Sequence, residues 1–377
     1  MSEIVVQKVS NRKQMHDFVH VVETIYHGNL YYVPDLYSDI RAMFNPRKNK
    51  AMAFCDIQPF VAYQGGRCVG RIAGIINHRA NEKWRTPTVR FGYIEFIDNF
   101  LVAEALLNAV EQWGLEHGMS VAQGPMGITD FDKEGMLVED FHLNGSMTAI
   151  YNLPYYPTFM EALGYQKAVD WLQMRVMVPD EFPAKYTRVA RYARENERLT
   201  VRSMTRREMK GETGLKAFQL LNGCYQYLFG FVEFTAEQMH DFISRYALLI
   251  DCEMILIIEN AQSEVVGTAV SMNSLAEALQ RSRGRLFPFG WWHLWKALRW
   301  KRSSMAELLL IAVRFDYQGK GASALFFEKM MEIYRRRHIL WAETGPTLED
   351  NLAALSQWKA FRPQMVKRRR CYTKDLT

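Results

Sequence analysis

The sequence predicts a mixed α/β fold in two tandem domains, each a mostly antiparallel sheet flanked by helices. The chain has 377 residues, more than one typical domain. Its composition, 49% hydrophobic and 23% charged, is that of a globular protein. The same order of predicted strands and helices also occurs twice. Because Pro179 and Pro183 interrupt the pattern between the copies, we predict domains at residues 1–180 and 181–377.

Each copy begins with a hairpin and continues through a strand, a long helix and another strand. In the first copy, Gly65 and Gly66 separate two apolar runs, which is typical of a hairpin turn. The other elements follow from apolar runs and helical spacing. The predicted elements are strands 59–63, 69–76, 91–97 and 120–123 with helix 102–116 in the first copy, and strands 254–259, 265–270, 308–313 and 339–342 with helix 323–335 in the second.

The charge and the cysteines argue against several classes of protein. A net charge of +6, dispersed along the chain, gives little support to a nucleic-acid partner. Five cysteines without a CxxC pair argue against a disulfide framework and against a zinc site, so no metal is expected. The N-terminus lacks the pattern of a signal peptide, and no run of about eighteen apolar residues occurs. We expect a cytoplasmic protein that is free or peripheral at the inner membrane face.

The segment from Glu307 to Ser323 predicts a site for a phosphate group. It reads as an apolar strand, a turn with Gly319 and Gly321, and then a helix. The first N–H groups of a helix have no partner within the helix, and they favour anions. The segment is therefore typical of a phosphate cradle. The alternative is a glycine turn that only connects a strand to a helix.

The run from Gln318 to Ser323 resembles motif A of the Gcn5-related N-acetyltransferases (GNAT), with a serine at the last small position. The resemblance implies two tandem GNAT-like domains, of which the second binds acetyl-CoA or a longer acyl-CoA as a substrate. The pyrophosphate would lie on backbone N–H groups, and the pantetheine arm would pair as an added strand. The implied cofactor-binding residues are Ala312, Val313, Gln318, Gly319, Lys320, Gly321, Ala322, Ser323 and Asn351.

Glu307 is the predicted catalytic base. It lies eleven residues before Gln318, which matches the strand position where several members of the family carry a glutamate base. An amine like that of lysine is protonated at neutral pH, so acyl transfer needs a group that removes a proton. Glu343 is the reserve candidate. The alternative is that Glu307 is a solvated residue at a strand edge.

Residues 351–361 resemble motif B of the same family, in which an asparagine opens a helix and a later tyrosine faces the thiol of coenzyme A. Here Asn351 opens the helix, and Trp358 stands at the tyrosine position. An indole cannot donate an acidic proton. The leaving thiolate would then take its proton from another residue, such as Tyr372, or from water.

The first copy lacks a phosphate loop. The matching residues, 94–103, contain no glycine, so the backbone there cannot readily approach a pyrophosphate. By resemblance, the first domain is a degenerate copy that shapes the acceptor site. Its loop 124–140 carries five carboxylates and one lysine. This loop could hold a cationic amine, or it could be a solvated acidic surface.

A connection of about thirty residues, around 273–304, precedes the strand with Glu307 and exceeds the usual loop length. Four of the nine tryptophans fall between residues 291 and 300. On a helix, two of them share a face with leucines while basic side chains lie elsewhere, as in an interfacial helix. We predict peripheral membrane contact through Trp291, Trp292 and Trp295. Tryptophans in a core or a dimer interface are the alternative.

Over most of its length the chain is also similar to bacterial ceramide-synthase-like acyltransferases, which share a degenerate first copy, a motif A second copy and a Pro-Phe-Gly-Trp segment. The implied function is an acyl-CoA-dependent N-acyltransferase that moves an acyl group from the CoA thioester to an amine. A lipid-like or long-chain amine at the membrane surface is the expected acceptor. Two alternatives are a Fem-type transferase that uses aminoacyl-tRNA and a non-catalytic acyl-CoA-binding module.

Overall fold

The structure, a computed structural model, describes residues 2–129, 131–246, 250–300 and 303–377, without the side chains of Arg245 and Tyr246. Two features of the sequence extend beyond these residues. Asp130 of the acidic loop and Lys301 and Arg302 of the long connection lie outside the described residues.

The strands and helices follow the predicted order in both copies. The first half of the chain forms β1 (Ile4–Lys8), α1 (Arg12–His20), α2 (Val22–Ile25), α3 (Tyr37–Met43), β2 (Cys55–Gln64), β3 (Arg67–Asn77), α4 (His78–Trp84), β4 (Thr88–Phe96), α5 (Phe100–Glu116), β5 (Val121–Gly124), β6 (Met136–Leu137), α6 (Tyr155–Ala162) and β7 (Gln166–Met177). The second half forms α7 (Ala184–Glu195), β8 (Thr200–Ser203), α8 (Arg206–Met209), α9 (Glu212–Tyr225), α10 (Ala236–Tyr246), β9 (Ile255–Glu259), β10 (Val265–Asn273), α11 (Ala276–Ser282), α12 (Gly290–Trp300), β11 (Met305–Val313), α13 (Ala322–Arg336), β12 (Trp341–Thr344), β13 (Thr347–Leu348), α14 (Leu352–Ser356) and β14 (Gln364–Asp375). The predicted hairpins and strand–helix–strand segments are confirmed.

The chain folds into two compact units. Unit 1 contains residues 1–171, 276–294 and 367–377, and unit 2 contains residues 172–275 and 295–366. The first part of the long connection therefore packs with the N-terminal copy. The proposed domain boundary at residues 180/181 stays a prediction.

The sheet of unit 1 has the strand order β1-β2-β3-β4-β5-β14. Of these neighbours, β4 and β5 are parallel and the other described pairs are antiparallel. Helix α5 lies close against β3, where Gly70 and Gly74 leave room for it. A Cβ atom at Gly70 would lie 2.7 Å from Leu106, and one at Gly74 would lie 2.6 Å from Trp113. These glycines are therefore required for the packing of the helix on the sheet.

The sheet of unit 2 has the order β7-β12-β11-β10-β9-β8, and β11 and β12 form its parallel pair. Helix α13 covers one face and buries the predicted apolar positions Ala322, Leu325, Phe326, Met330 and Ile333. Helix α7 packs against α13 within the same core cluster. The helical spacing in the sequence thus predicts the side of α13 that faces the sheet.

The long connection contains two helices, α11 and α12. Its first part is attached to unit 1 by polar contacts: the Gln280 side chain donates to the carbonyl oxygens of Leu30 (2.9 Å) and Tyr32 (3.2 Å). The guanidinium of Arg285 binds both carboxylate oxygens of Glu23, at 2.6 and 2.8 Å. The predicted helix with the tryptophans is confirmed as α12.

Candidate functional site

Strands β11 and β12 are paired over only part of their length. Parallel pairing ends at Leu308 and Thr344, whereas β11 continues to Val313. Gly345 and Pro346 follow β12, and a proline has no N–H group with which to continue the ladder. A notch therefore opens between β11 and the chain that leaves β12.

A β-bulge in β11 lies where the notch begins. Val270 of β10 is opposite Leu310, and the next residue, Ser271, is opposite Leu308, so Leu309 is the extra residue. A bulge bends its strand and increases the local twist. The bulge thus turns the second half of β11 away from β12.

Ala312 and Val313, the predicted pantetheine contacts, lie in the unpaired part of β11. Both are buried, and Ala312 is opposite Thr268 of β10. The Gln318 side chain returns to the strand and donates from Nε2 to the carbonyl oxygen of Val313 at 2.9 Å. The structure therefore brings three of the predicted residues together at the end of the notch.

Two residues at the C-terminal end of α9 also contact this part of β11. The Tyr225 hydroxyl donates to the carbonyl oxygen of Ile311 (3.0 Å) and accepts from its N–H group (3.3 Å). The Cys224 thiol lies 3.4 Å from the carbonyl oxygen of Val313. The sequence does not predict either contact, because both residues lie about ninety positions from the strand and no local motif marks them.

The predicted glycine turn leads from β11 into α13. Gly319 and Gly321 have φ angles of 76° and 87°, which favour glycine over residues with a Cβ atom. A Cβ atom at Gly321 would also lie 2.9 Å from the carbonyl oxygen of Val189 in α7. Gly321 is the N-cap of α13 and supplies no side-chain cap. The first N–H groups of this fifteen-residue helix are thus left for another partner.

The remaining residues of the turn differ in exposure. Ala322 is buried under the first turn of α13, and Ser323 is half-buried beside it. The Lys320 ammonium lies 3.5 Å from the carboxylate of Glu197 and 5.2 Å from the centre of the Tyr317 ring. A cation, helix N–H groups and two glycines are therefore adjacent at one end of the notch, which is suitable for an anion.

Glu307 is a buried carboxylate at the other end of the notch. It is 3% exposed, so it is not a solvated strand-edge residue, and its Oε1 accepts from the Ser274 hydroxyl at 2.8 Å. Glu343, the reserve candidate, is opposite Glu307 on the parallel strand β12. Arg175 donates to Glu343 at 2.8 Å and stacks on the Trp341 ring at 3.9 Å. The arginine balances the charge of Glu343.

Asn351 and Trp358, the two motif B residues, both form contacts within unit 2. Asn351 caps α14, and its Oδ1 accepts from the N–H group of Ala354 at 3.1 Å. The Trp358 indole is buried in the core of unit 2 and packs on Phe327 and near Phe361, with ring centres 4.5 and 6.2 Å apart. Trp358 is therefore a core residue.

Tyr372, the alternative proton donor, lies in the core of unit 1. Its hydroxyl is 3.5 Å from Glu161, and burial raises its pKa. Since Glu307 belongs to unit 2, the structure does not bring the two residues together in one compact unit.

The matching place in unit 1 is closed by the chain itself. Asn99 caps α5, and its Oδ1 accepts from the N–H group of Leu101 at 3.0 Å. Beyond the β4–β5 pairing, the N–H group of Met126 donates to the carbonyl oxygen of Phe91 at 2.9 Å. In unit 1, the Leu101 N–H group of α5 and the Phe91 carbonyl oxygen of β4 are thus bound by groups of the protein itself.

The acidic loop of unit 1 is bound by basic residues of that unit. Lys133 lies 2.7 Å from Asp35, and Glu139 accepts from Arg368 at 3.0 Å. Asp132 accepts from the N–H group of Thr129 at 2.8 Å. These contacts agree better with a structural surface than with a vacant site for an amine.

The tryptophans of α12 are exposed. Trp291, Trp292 and Trp295 are 47%, 41% and 44% exposed, so they are not core residues. Phe287 and Phe289, just before the helix, are 77% and 73% exposed. No helix in the described parts of the chain is both long enough and apolar enough to cross a membrane. Among these same residues, no three His, Cys, Asp or Glu side chains are grouped so that they could hold a metal ion.

The order of elements in the two units defines the tandem GNAT fold. A solved tandem GNAT protein from the clavulanic acid biosynthesis pathway superposes with a TM-score of 0.59 at 11% identity, covering 100% of this chain and 99% of that one. A GCN5-related N-acetyltransferase from Sphaerobacter thermophilus superposes with a TM-score of 0.51 at 12% identity, covering 99% and 96%. The predicted fold class and the resemblance to tandem GNAT proteins are confirmed.

Two bacterial proteins are similar to the chain in sequence, and no family model matches it. Protein YghO of Escherichia coli K12 is 27% identical over 371 residues, which cover 97% of this chain and 94% of that protein. The bacterial ceramide synthase of Caulobacter vibrioides is 25% identical over 293 residues, which cover 76% of this chain and 74% of that enzyme.

Proposed function

We propose that the protein is an acyl-CoA-dependent N-acyltransferase whose acyl-CoA site is the notch of unit 2. One observation carries this proposal: β11 separates from β12 beyond Leu308 and leads through two left-handed glycines to an uncapped helix N-terminus. An extended amide-containing arm fits a strand edge that no other strand covers, and a pyrophosphate fits helix N–H groups. Acyl-CoA contains both parts.

In this proposal, the turn residues 319–323 bind the pyrophosphate, with Lys320 as a nearby cation. The pantetheine arm lies along Ile311 to Val313, with Gln318 and Asn351 at its margin. The thioester is then directed toward the start of the notch, where Glu307 is buried. Buried carboxylates in such a position are typical of catalytic groups.

Glu307 removes the proton that the amine nitrogen loses as it attacks the thioester carbonyl. The C–N bond forms, the C–S bond breaks, and the CoA thiolate leaves. Because Trp358 is a core residue and Tyr372 lies in the core of unit 1, we propose that water protonates the thiolate. Ser274 and the Arg175–Glu343 pair would hold the carboxylates in position.

We also propose that the acceptor is a lipid-like amine at the inner membrane face. The exposed aromatic residues of α12 support this, because indole rings favour the membrane interface. The similarity to a bacterial ceramide synthase supports it too. Unit 1 would bind no acyl-CoA, since Asn99 and Met126 occupy the equivalent groups.

The test is a thiol-release assay with short and long acyl-CoA and a panel of amines that includes polyamines, amino sugars and long-chain amino alcohols. We expect amine-dependent release of CoA together with one N-acyl product, with the greatest rate for a long-chain amine. If CoA is bound but no amine gives a product, the protein is an acyl-CoA-binding module and the proposed reaction is wrong.

A further inference from the structure

The edge of β11 that faces the notch forms hydrogen bonds with side chains. Tyr225 places its hydroxyl within 3.0 Å of the Ile311 carbonyl oxygen and 3.3 Å of the Ile311 nitrogen. The N–H and C=O groups of one strand residue point to the same edge. Since one hydroxyl binds both, it occupies the place that an amide of an added strand would take.

The next residue on this edge is covered in the same way. Val313 lies two positions beyond Ile311, so its carbonyl group points to the same side. This oxygen is contacted by the Cys224 thiol at 3.4 Å and by the Gln318 amide at 2.9 Å. Side chains therefore satisfy the N–H and carbonyl groups of Ile311 and the carbonyl oxygen of Val313 on this edge.

Unit 1 shows the permanent form of the same closure. There the backbone N–H group of Met126 binds the carbonyl oxygen of Phe91 at 2.9 Å. A Cβ atom at Gly92 would lie 2.4 Å from the Met126 carbonyl oxygen, so the chain is tightly fitted. A backbone segment of this kind cannot leave without refolding its loop, whereas a tyrosine can leave by rotating its side chain.

We propose that the Tyr225 hydroxyl is a positioning group that competes with the pantetheine arm of acyl-CoA for Ile311. This inference rests on the proposed function of the notch. A hydroxyl donates and accepts one hydrogen bond, as the two groups of an amide do, so the exchange preserves both bonds to Ile311. Burial raises the pKa of Tyr225 to about 12, so the hydroxyl keeps its proton at neutral pH.

The competition predicts that removal of the Tyr225 hydroxyl increases the affinity for CoA. Tyr225→Phe keeps the ring that lies 6.0 Å from Phe231 but removes the competing hydroxyl. The unliganded protein then loses its bonds to Ile311, whereas the complex loses nothing. We expect the variant to bind CoA about three- to tenfold more tightly than the wild type, as the loss of one such hydrogen bond implies.

Isothermal titration with two ligands tests this inference. Coenzyme A contains the pantetheine arm, whereas adenosine 3′,5′-bisphosphate lacks it. Tyr225→Phe should tighten the binding of CoA and leave that of the bisphosphate unchanged. Cys224→Ala should change the CoA affinity in the same direction by a smaller factor, and it serves if the phenylalanine variant does not fold. Tyr227→Phe, at an exposed tyrosine two positions away, should change neither.

The outcomes separate the inference from the proposed function. If wild-type protein binds neither ligand, the proposed acyl-CoA site is wrong. If wild-type protein binds CoA and both the Tyr225 and Cys224 variants bind it equally well or more weakly, the site stands and the competition is refuted. Equal tightening for CoA and for the bisphosphate would also refute it, because the nucleotide does not reach Ile311.

Discussion

The position of Glu307 in the sheet determines which groups surround its carboxylate. The carboxylate is buried beside the Ser274 hydroxyl and opposite Glu343 on the parallel strand. Glu343 is held by an ion pair with Arg175. Protonation of Glu343 would weaken this ion pair, whereas Glu307 accepts a hydrogen bond from the neutral Ser274 hydroxyl. This arrangement favours Glu307 over Glu343 as the base.

The assignment predicts the kinetics of two matched variants. Glu307→Gln should lower the turnover number in the thiol-release assay by about 10²- to 10⁴-fold, the usual contribution of a general base. Its affinity for CoA should not change, since the amide can still accept from Ser274. Glu343→Gln should retain more activity. The reverse order of the two variants would identify Glu343 as the base.

Glu95 in β4 is a buried carboxylate of a different kind. It accepts from the hydroxyls of Tyr26 at 2.6 Å and Tyr156 at 2.9 Å, and Arg71 lies 3.9 Å away. Burial raises the pKa of Glu95 to about 7, although Arg71 and the two hydroxyls act in the opposite direction. The folded protein therefore keeps the Glu95 proton up to a higher pH than the unfolded chain, in which the pKa of this carboxyl group has its ordinary value of 4.5.

Stability should consequently depend on pH through Glu95. Because the native state binds the extra proton between pH values of about 4.5 and 7, the free energy of unfolding should fall as the pH rises through this range, by on the order of 3 kcal/mol, and level off above it. Glu95→Gln keeps an acceptor for the hydroxyls and should remove this fall. Urea unfolding at several pH values measures both proteins, and parallel curves would show that Glu95 does not contribute.

At the scale of elements, the two copies differ in how one helix begins. Helix α5 starts with Asn99, whose side chain caps the first turn, whereas α13 starts with Gly321 and has no side-chain cap. An asparagine cap satisfies the helix from within the chain, and a glycine leaves its N–H groups for a ligand. One position thus separates a helix that is capped by its own side chain from a helix that begins without a side-chain cap.

Helix α12 places most of its large apolar side chains outside the core. Its tryptophans are exposed, and Lys296 and Arg299 are exposed beside them. Exposure of these large apolar side chains to water is unfavourable. Contact with another apolar phase would remove them from water. The anionic inner face of a membrane matches both the indoles and the cations.

The proposed membrane contact is tested by co-sedimentation with liposomes that contain an anionic phospholipid. Replacing both Trp291 and Trp295 by Ala should reduce the bound fraction, with a partition coefficient lower by about tenfold or more. Trp84→Ala removes an indole that is exposed to a similar extent, 40%, at the end of α4, and it should have no effect. Equal losses in both variants would argue against a specific contact of α12.

At the scale of the whole chain, the sequence predicts the repeated order of elements and the glycine turn before α13. These depend on local patterns: apolar periodicity, the Gly65-Gly66 hairpin and the run from Gln318 to Ser323. The bulge at Leu309 was not predicted, because it results from the pairing of β11 with β10. Tyr225 and Asn99 acquire their roles from contacts or caps that apolar periodicity does not reveal.

The structure also shows two features that local sequence patterns do not contain. Trp358 aligns with the motif B tyrosine but packs in the core, since its neighbours Phe327 and Phe361 form an aromatic cluster that motif spacing does not show. The first part of the long connection joins unit 1, which follows from contacts of Gln280 and Arg285 with residues about 250 positions away. Local spacing carries no information about such distant partners.

The proposed reaction requires that acyl-CoA binds at the glycine turn of unit 2. Gly319 and Gly118 both have a φ angle of 76° and open space where a Cβ atom would lie, so Gly319→Glu and Gly118→Glu introduce a similar backbone strain at two different places. Titration calorimetry with CoA measures the result. We predict binding to the wild type and to Gly118→Glu, and a loss of about a hundredfold or more in affinity for Gly319→Glu, whose carboxylate repels the pyrophosphate. Equal affinities of the two variants would contradict the claim.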